Sequence, residues 1–146
     1  HGPELEVLAR YGIDRLASTG SGFVLLIESE VTDGTGHDND VAAVVDGIRE
    51  LDEMLAAVLS WADPLGDTLV VVTADHDTGG LGVVDGDYVE GSAEVRWATD
   101  GHTTQWVPVL AFGPGAEHFG GVIDNTDLGV LVARALGIDG FPALRP

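Results

Sequence analysis

The stretch TLVVVTADHDTGGLG, residues 68–82, decides how the chain is read. Its β-branched run predicts a buried strand over Thr68 to Thr73. The run stops at Asp75-His76-Asp77, and glycines follow. A strand that ends in two carboxylates and an imidazole delivers chemistry, not packing, to its tip. Open α/β sheets place their sites beyond the carboxyl ends of their strands.

Working outward, Val41 to Leu59 carries Val41, Val44, Val45, Ile48, Leu51, Leu55, Val58 and Leu59 at spacings of three and four. That is a helical stripe. Glu4 to Ala17 predicts a shorter amphipathic helix. Phe23 to Ile27 is an unbroken apolar run that predicts a strand buried on both faces and ending at Glu28. Residues 79–93 predict loop or a weak hairpin, and Glu94 to Trp97 a short strand. Val107 to Phe112 predicts a further strand, and Asp127 to Leu136 a last helix capped by Asn125 or Thr126. The alternation of helix and strand implies an α/β fold, a mostly parallel sheet flanked by helices in an α/β/α sandwich.

Composition narrows the function classes. The 146 residues fit one domain, and 45% hydrophobic content supports a real core. The formal charge is −19, from 25 acids against six arginines and no lysine. Such a surface repels nucleic acid and anionic membranes, so neither is an expected partner. A high-salt habitat and family drift account for that acidity equally well. With no cysteine there is no disulfide, thiolate zinc site or cysteine nucleophile. No apolar run reaches the length of a membrane span, and no signal peptide is visible. Because the sequence opens on His1 and its only methionine is Met54, it is expected to be a processed form or a part of a longer chain.

Six polar residues fall at one predicted rim of the sheet: Glu28, Asp33, His37, Asp75, His76 and His102. Taken singly, each has a bland reading. Asp33 and His37 could be an exposed pair on a helix turn, Asp75-His76 a cap, Glu28 a solvated strand end and His102 a surface histidine. Together, their carboxylates would repel one another unless a cation joined them. Imidazole and carboxylate without thiolate suit catalytic zinc or a related transition ion, and a carboxylate beside hydroxyls suits magnesium. Six ligands exceed what one tetrahedral ion needs. Two ions roughly 4 Å apart clamp the attacking and leaving oxygens of a displacement, usually at phosphorus. Calcium loops of the EF-hand type are excluded. The loop from Asp33 has Asp38 at its sixth position and Val44 at its twelfth, and the loop from Asp85 has Glu90 and Arg96.

At this point the sequence resembles the alkaline phosphatase family. The resemblance is carried by GFVLLIESEVTDGTGHDND, TLVVVTADHDTGGL, DGHTTQWVPVLAFGPGAEHFGGVIDNTDLG and the closing LVARALGI. It implies that Asp33, His37 and His102 hold a first zinc, that Asp75 and His76 hold a second, and that Glu28 belongs to a magnesium site. It further implies hydrolysis of small phosphate monoesters through a phosphoserine, a homodimer in the complete protein, and a periplasmic or secreted location. Ser29-Glu30, Asp77 and Thr104 depart from the family pattern without removing a ligand.

The larger departure is the nucleophile. The family's Asp-Ser segment, its phosphate-binding arginine and the threonine of its magnesium site have no counterpart here. Ser18, Ser21, Ser29, Ser60 and Ser92 lack matching surroundings. The chain is therefore expected to be the C-terminal part of one alkaline phosphatase-like domain, with little activity alone and an apolar sheet edge prone to associate. Two other readings remain open: a non-catalytic divalent-metal module, and a related hydrolase such as a phosphodiesterase, sulfatase or phosphoglycerate mutase.

Overall fold

The helical stripes of the sequence become helices, while the strands among the described residues pair antiparallel. The computed structural model describes residues 4–138 and 140–141; His1 and Arg145 lie outside them. In chain order the elements are α1 (Leu5–Ala17), α2 (Val31–His37), α3 (Val41–Ala62), β1 (Val70–Thr73), β2 (Asp77–Thr78), β3 (Gly82–Asp87), β4 (Ser92–Arg96), β5 (His102–Thr103), β6 (Val109–Phe112), a 3-10 turn (Ala116–Phe119) and α4 (Asn125–Ala135). The chain divides into two compact units. One comprises the chain up to Val58 together with His76–Trp106, and the other Leu59–Asp75 together with the chain from Val107 onward.

In the first unit, α1 buries Ala9 and Ile13, and α3 buries Met54 and Ala57. The backbone N–H of Leu5 donates to Glu50 Oε1 at 3.3 Å, which ties the start of α1 to α3. Asp40 opens α3 by accepting from the Ala43 N–H at 3.1 Å, satisfying one of the donors a helix start leaves over. Between α2 and α3 the chain turns through Asn39, whose φ of 54° is left-handed. Strands β2 and β5 pair antiparallel, with Asp77 opposite Thr103 and Thr78 opposite His102. Strands β3 and β4 form a hairpin that joins the stretch 79–93, expected as loop or a weak hairpin, to the short strand expected over Glu94 to Trp97, with a register shift between Val83 and Asp85. Helix α2 approaches β2 closely because Gly36 has no side chain. A Cβ there would lie 3.1 Å from Thr78 Cγ2 and 3.2 Å from the Thr78 carbonyl oxygen.

In the second unit, β1 and β6 pair antiparallel from Val70 opposite Phe112 to Thr73 opposite Val109. The 3-10 turn buries Phe119, and α4 buries Val130 and Ala133. Its cap is Asp124, one residue before the expected Asn125 or Thr126, and it accepts from the Thr126 N–H at 2.9 Å.

Two expectations are corrected. All three ladders among the described residues are antiparallel pairs, so the mostly parallel sheet is absent there. Alternation of elements predicts a parallel sheet only when successive strands lie side by side. Here β1 pairs with β6, some 35 residues later in the chain. The second correction concerns Phe23 to Ile27, which joins no ladder among the described residues. Its side chains instead alternate between half-buried and exposed, with Val24 60% and Leu26 87% exposed. An apolar run is buried on both faces only if strands flank it on both sides, and among the described residues it pairs with no strand.

Gly79, directly after β2, is a tightly constrained backbone position. Its N–H donates to the Gly101 carbonyl at 2.9 Å, and its own carbonyl accepts from the Ala98 and Thr99 N–H groups at 2.9 and 3.2 Å. Its φ is +84°, and a Cβ would lie 2.5 Å from the Trp97 ring. Gly79→Ala is expected to destabilise the chain by about 2–4 kcal/mol, from left-handed strain plus overlap with the ring. Gly22, with open space around its Cβ position, serves as the control, and Gly22→Ala is expected to stay within about 0.5 kcal/mol of the parent. Urea unfolding midpoints measure both; equal midpoints would show that the packing of Trp97 on Gly79 is not a constraint.

Candidate metal centre

Asp33 and His37 are four residues apart on α2, a spacing that puts both on one helix face. The helix is short and gains its place from Gly36, which lets it lie against Thr78. His102 arrives from β5, whose pairing with β2 sets it opposite Thr78. His76 is carried one residue ahead of β2.

These constraints bring three donors together. His37 Nε2 lies 3.2 Å from His102 Nε2. His37 Nε2 lies 3.6 Å from Asp33 Oδ2, and His102 Nε2 lies 3.4 Å from Asp33 Oδ1. The three side chains are each about half exposed, so the cluster opens to solvent. Zinc bonds of roughly 2.0–2.1 Å in a tetrahedron require ligand atoms about 3.3–3.4 Å apart. The separations are of that size, with His37 and His102 facing different oxygens of the Asp33 carboxylate. The donor set of two imidazoles and one carboxylate fits zinc, and fits it as a catalytic ion.

Hydrogen bonds orient the donors. His37 Nδ1 lies 2.5 Å from the Asp100 carbonyl oxygen. A carbonyl only accepts, so Nδ1 carries the proton and Nε2 presents its lone pair toward Asp33 and His102. The loop bearing Asp100 is held in turn by Thr99 Oγ1, which accepts from the Gly101 N–H at 3.1 Å. The Asn39 amide nitrogen, assigned from its two carbonyl neighbours, donates to Thr99 at 2.9 Å and Gly36 at 3.1 Å. That amide links the end of α2 to the loop that carries Asp100.

Asp33 accepts from Thr78 Oγ1 at 2.5 Å. This bond holds the Asp33 carboxyl below the ordinary aspartate range, and the nearby His37, His102 and His76 rings act in the same direction against the opposing effect of partial burial. His76 stacks on His102 with ring centroids 3.6 Å apart. Asp77 faces away from this role: its Oδ2 accepts from Thr103 Oγ1 at 2.6 Å and from the Gly80 N–H at 3.1 Å, bracing β2 against β5.

Four of the six expected ligands therefore meet within one unit: Asp33, His37 and His102 as a triangle, and His76 against His102. Asp75 precedes His76 in the chain and belongs to the segment of the other unit. Glu28 lies elsewhere in the first unit, in a shallow depression of about 130 Å³ with Leu5, Leu8, Ser29, Glu30, Val31 and Glu50. Sequence reasoning missed Thr78, Asp100 and Asn39. Thr78 sits inside the Asp-His-Asp-Thr block and could have been flagged. Asp100 acts through its backbone and leaves no trace in residue type.

The family profile described as Metalloenzyme superfamily matches residues 6–136. Alkaline phosphatase 3 of Bacillus subtilis is 26% identical, the match covering 92% of this chain and 44% of that protein. A phosphopentomutase of Methylobacterium radiotolerans is 33% identical over 87% of this chain and 28% of its own length. The structure of the alkaline phosphatase from the Antarctic bacterium TAB5 superposes with a TM-score of 0.85 at 27% identity, covering 94% of this chain and 42% of that one. The chain thus spans less than half the length of these relatives.

The hydrogen bond to Asp33 has a measurable consequence. A carboxyl whose pKa is lowered in the folded state stabilises that state above its unfolded pKa, and the contribution is lost as pH falls through the folded value. In the metal-free chain, Asp33 is expected to remain ionised further into acid than a free aspartate. Carboxyl carbon shifts followed from neutral pH downward check this. A midpoint at or above the ordinary aspartate value would contradict the geometry.

Proposed function

Because this chain belongs to the metalloenzyme superfamily, we propose that it is the metal-holding part of an alkaline phosphatase, a hydrolase of small phosphate monoesters. One observation carries the reading: the Asp33–His37–His102 cluster, whose two Nε2 atoms lie 3.2 Å apart and 3.4–3.6 Å from the two Asp33 oxygens, distances that suit a shared cation.

On this reading Asp33, His37 and His102 hold one zinc, Asp75 and His76 a second, and Glu28 belongs to a magnesium site. The bound ions would supply charge to stabilise phosphoryl oxygens and lower the pKa of an attacking group. The chain's own residues do the rest. Asp33 stays ionised through its bond from Thr78. His37 keeps its proton on Nδ1 against Asp100 and its lone pair on the open side. The half-exposed cluster admits a phosphate ester from solvent.

No serine of the chain is assigned as nucleophile. Ser18 donates to the Arg15 carbonyl at 2.8 Å, and Ser21 bonds Thr19 at 3.1 Å, both in an exposed turn that follows α1. The complete enzyme would provide an Asp-Ser segment from elsewhere, act as a homodimer and work in the periplasm or outside the cell. Those three features rest on the family resemblance. No helix among the described residues is long and apolar enough to cross a membrane.

A second reading has support from the phosphopentomutase relative. It keeps the same cation cluster but has phosphoryl groups moved between positions of a sugar rather than released to water.

Calorimetric titration tests the shared premise. The purified chain is expected to take up zinc, and Asp33→Asn or His37→Ala to weaken uptake more than about tenfold. Uptake indifferent to both substitutions would remove the metal-centre reading. With zinc bound, the chain alone is expected to turn over 4-nitrophenyl phosphate negligibly. Robust turnover abolished by His76→Ala would show that a nucleophile lies within these 146 residues and would overturn its assignment elsewhere. Release of inorganic phosphate by the complete protein, against phosphate moved within a pentose phosphate, separates the two readings.

A further inference from the structure

We propose that Thr78 is a positioning residue that orients two candidate ligands, Asp33 and His76, through one hydroxyl. The inference rests on reading the cluster as a metal centre and adds a residue to it.

A hydroxyl has one proton to donate and two lone pairs to accept with. Thr78 Oγ1 lies 2.5 Å from Asp33 Oδ1. An ionised carboxylate only accepts, so the Thr78 proton is committed to it. The same oxygen lies 3.3 Å from His76 Nδ1. With its proton spent, Oγ1 can meet that nitrogen only as an acceptor. His76 must then carry its proton on Nδ1, which leaves Nε2 as the nitrogen with a lone pair. The direction runs from His76 N–H to Thr78 O–H to Asp33 carboxylate. A ligating histidine commonly has its tautomer and ring angle fixed in this manner by a partner on its other nitrogen.

The backbone holds Thr78 in place for this. It pairs with His102 across the β2–β5 ladder. It lies so close to Gly36 that a Cβ there would sit 3.1–3.2 Å from its Cγ2, Cβ and carbonyl oxygen. Thr78 therefore meets α2 through Gly36 and Asp33, β5 through His102, and the preceding residues through His76. Valine would fill the same space without the hydroxyl, and serine would keep the hydroxyl without the methyl.

Two measurements test the proposal. The first is zinc affinity by competition with a chromogenic chelator. Thr78→Val is expected to weaken binding about ten- to a hundredfold, the range found when a partner of a ligand is removed, and Thr78→Ser to stay within about threefold of the parent. The second is the pair of imidazole nitrogen shifts of His76 in the metal-free chain. These should report the Nδ1–H tautomer in the parent and in Thr78→Ser, and a shift toward Nε2–H in Thr78→Val. A general structural role would not move the tautomer. Circular dichroism establishes that the variants fold, and Thr78→Ala replaces Thr78→Val if the latter does not. If the parent and Thr78→Val share both affinity and tautomer while Asp33→Asn loses zinc, the metal centre stands and the positioning role falls. If the parent binds no zinc, or Asp33→Asn binds as the parent does, both fall together.

Discussion

The carboxylate of Asp33 is the contact on which the rest of the site depends. Its Oδ1 accepts from Thr78 and lies 3.4 Å from His102 Nε2, while its Oδ2 lies 3.6 Å from His37 Nε2. Without that hydroxyl, an exposed aspartate on a seven-residue helix would have several rotamers open to it and no reason to prefer the one that meets two imidazoles. With it, the side chain is aimed from β2, and β2 is aimed by its pairing with the strand that brings His102. The cluster is thus closed on itself. Each donor is held by a group that belongs to the same local structure as another donor.

That closure explains why so short a helix persists. Seven residues in water would not stay helical through propensity alone. Here α2 is trapped between the left-handed turn at Asn39 and the flat face of Gly36 against Thr78. The polar residues of this region are satisfied by one another: Asp77 by Thr103 and Gly80, His37 by Asp100, Asp33 by Thr78. The three donors remain about half exposed, which leaves them within reach of a cation from solvent. Membership of the metalloenzyme superfamily and the likeness to alkaline phosphatases agree with that chemistry.

Much of this was legible in the sequence, and the illegible remainder has a common cause. The four-residue spacing of Asp33 and His37, the Asp-His block after a β-branched run and the histidine before the last strand all announce donors by type and interval. The long stripe of α3 announces itself by period, and the structure extends it only to Ala62. Pairing direction is not encoded that way. Val70–Thr73 reads the same whether its neighbour runs with it or against it, and its partner lies far along the chain. Phe23 to Ile27 has the composition of a buried strand, but burial is a property of what surrounds it. Thr78 and Asp100 were hidden for a different reason. Their roles depend on where one proton and one carbonyl point, and only coordinates specify that.

Asn39 gives the site a lifetime as well as a shape. Its amide nitrogen reaches the carbonyls of both Thr99 and Gly36, so a single side chain joins the segment bearing Asp33 and His37 to the loop that fixes the His37 ring. Asparagine is among the residues that degrade with heat and time. Hydrolysis of this amide to a carboxylate would set a negative acceptor against two carbonyl oxygens and turn a tether into a wedge. Stored protein would then lose its grip on cations while its helices stayed intact, an ageing that peptide mass analysis at this residue, set beside zinc uptake, would reveal.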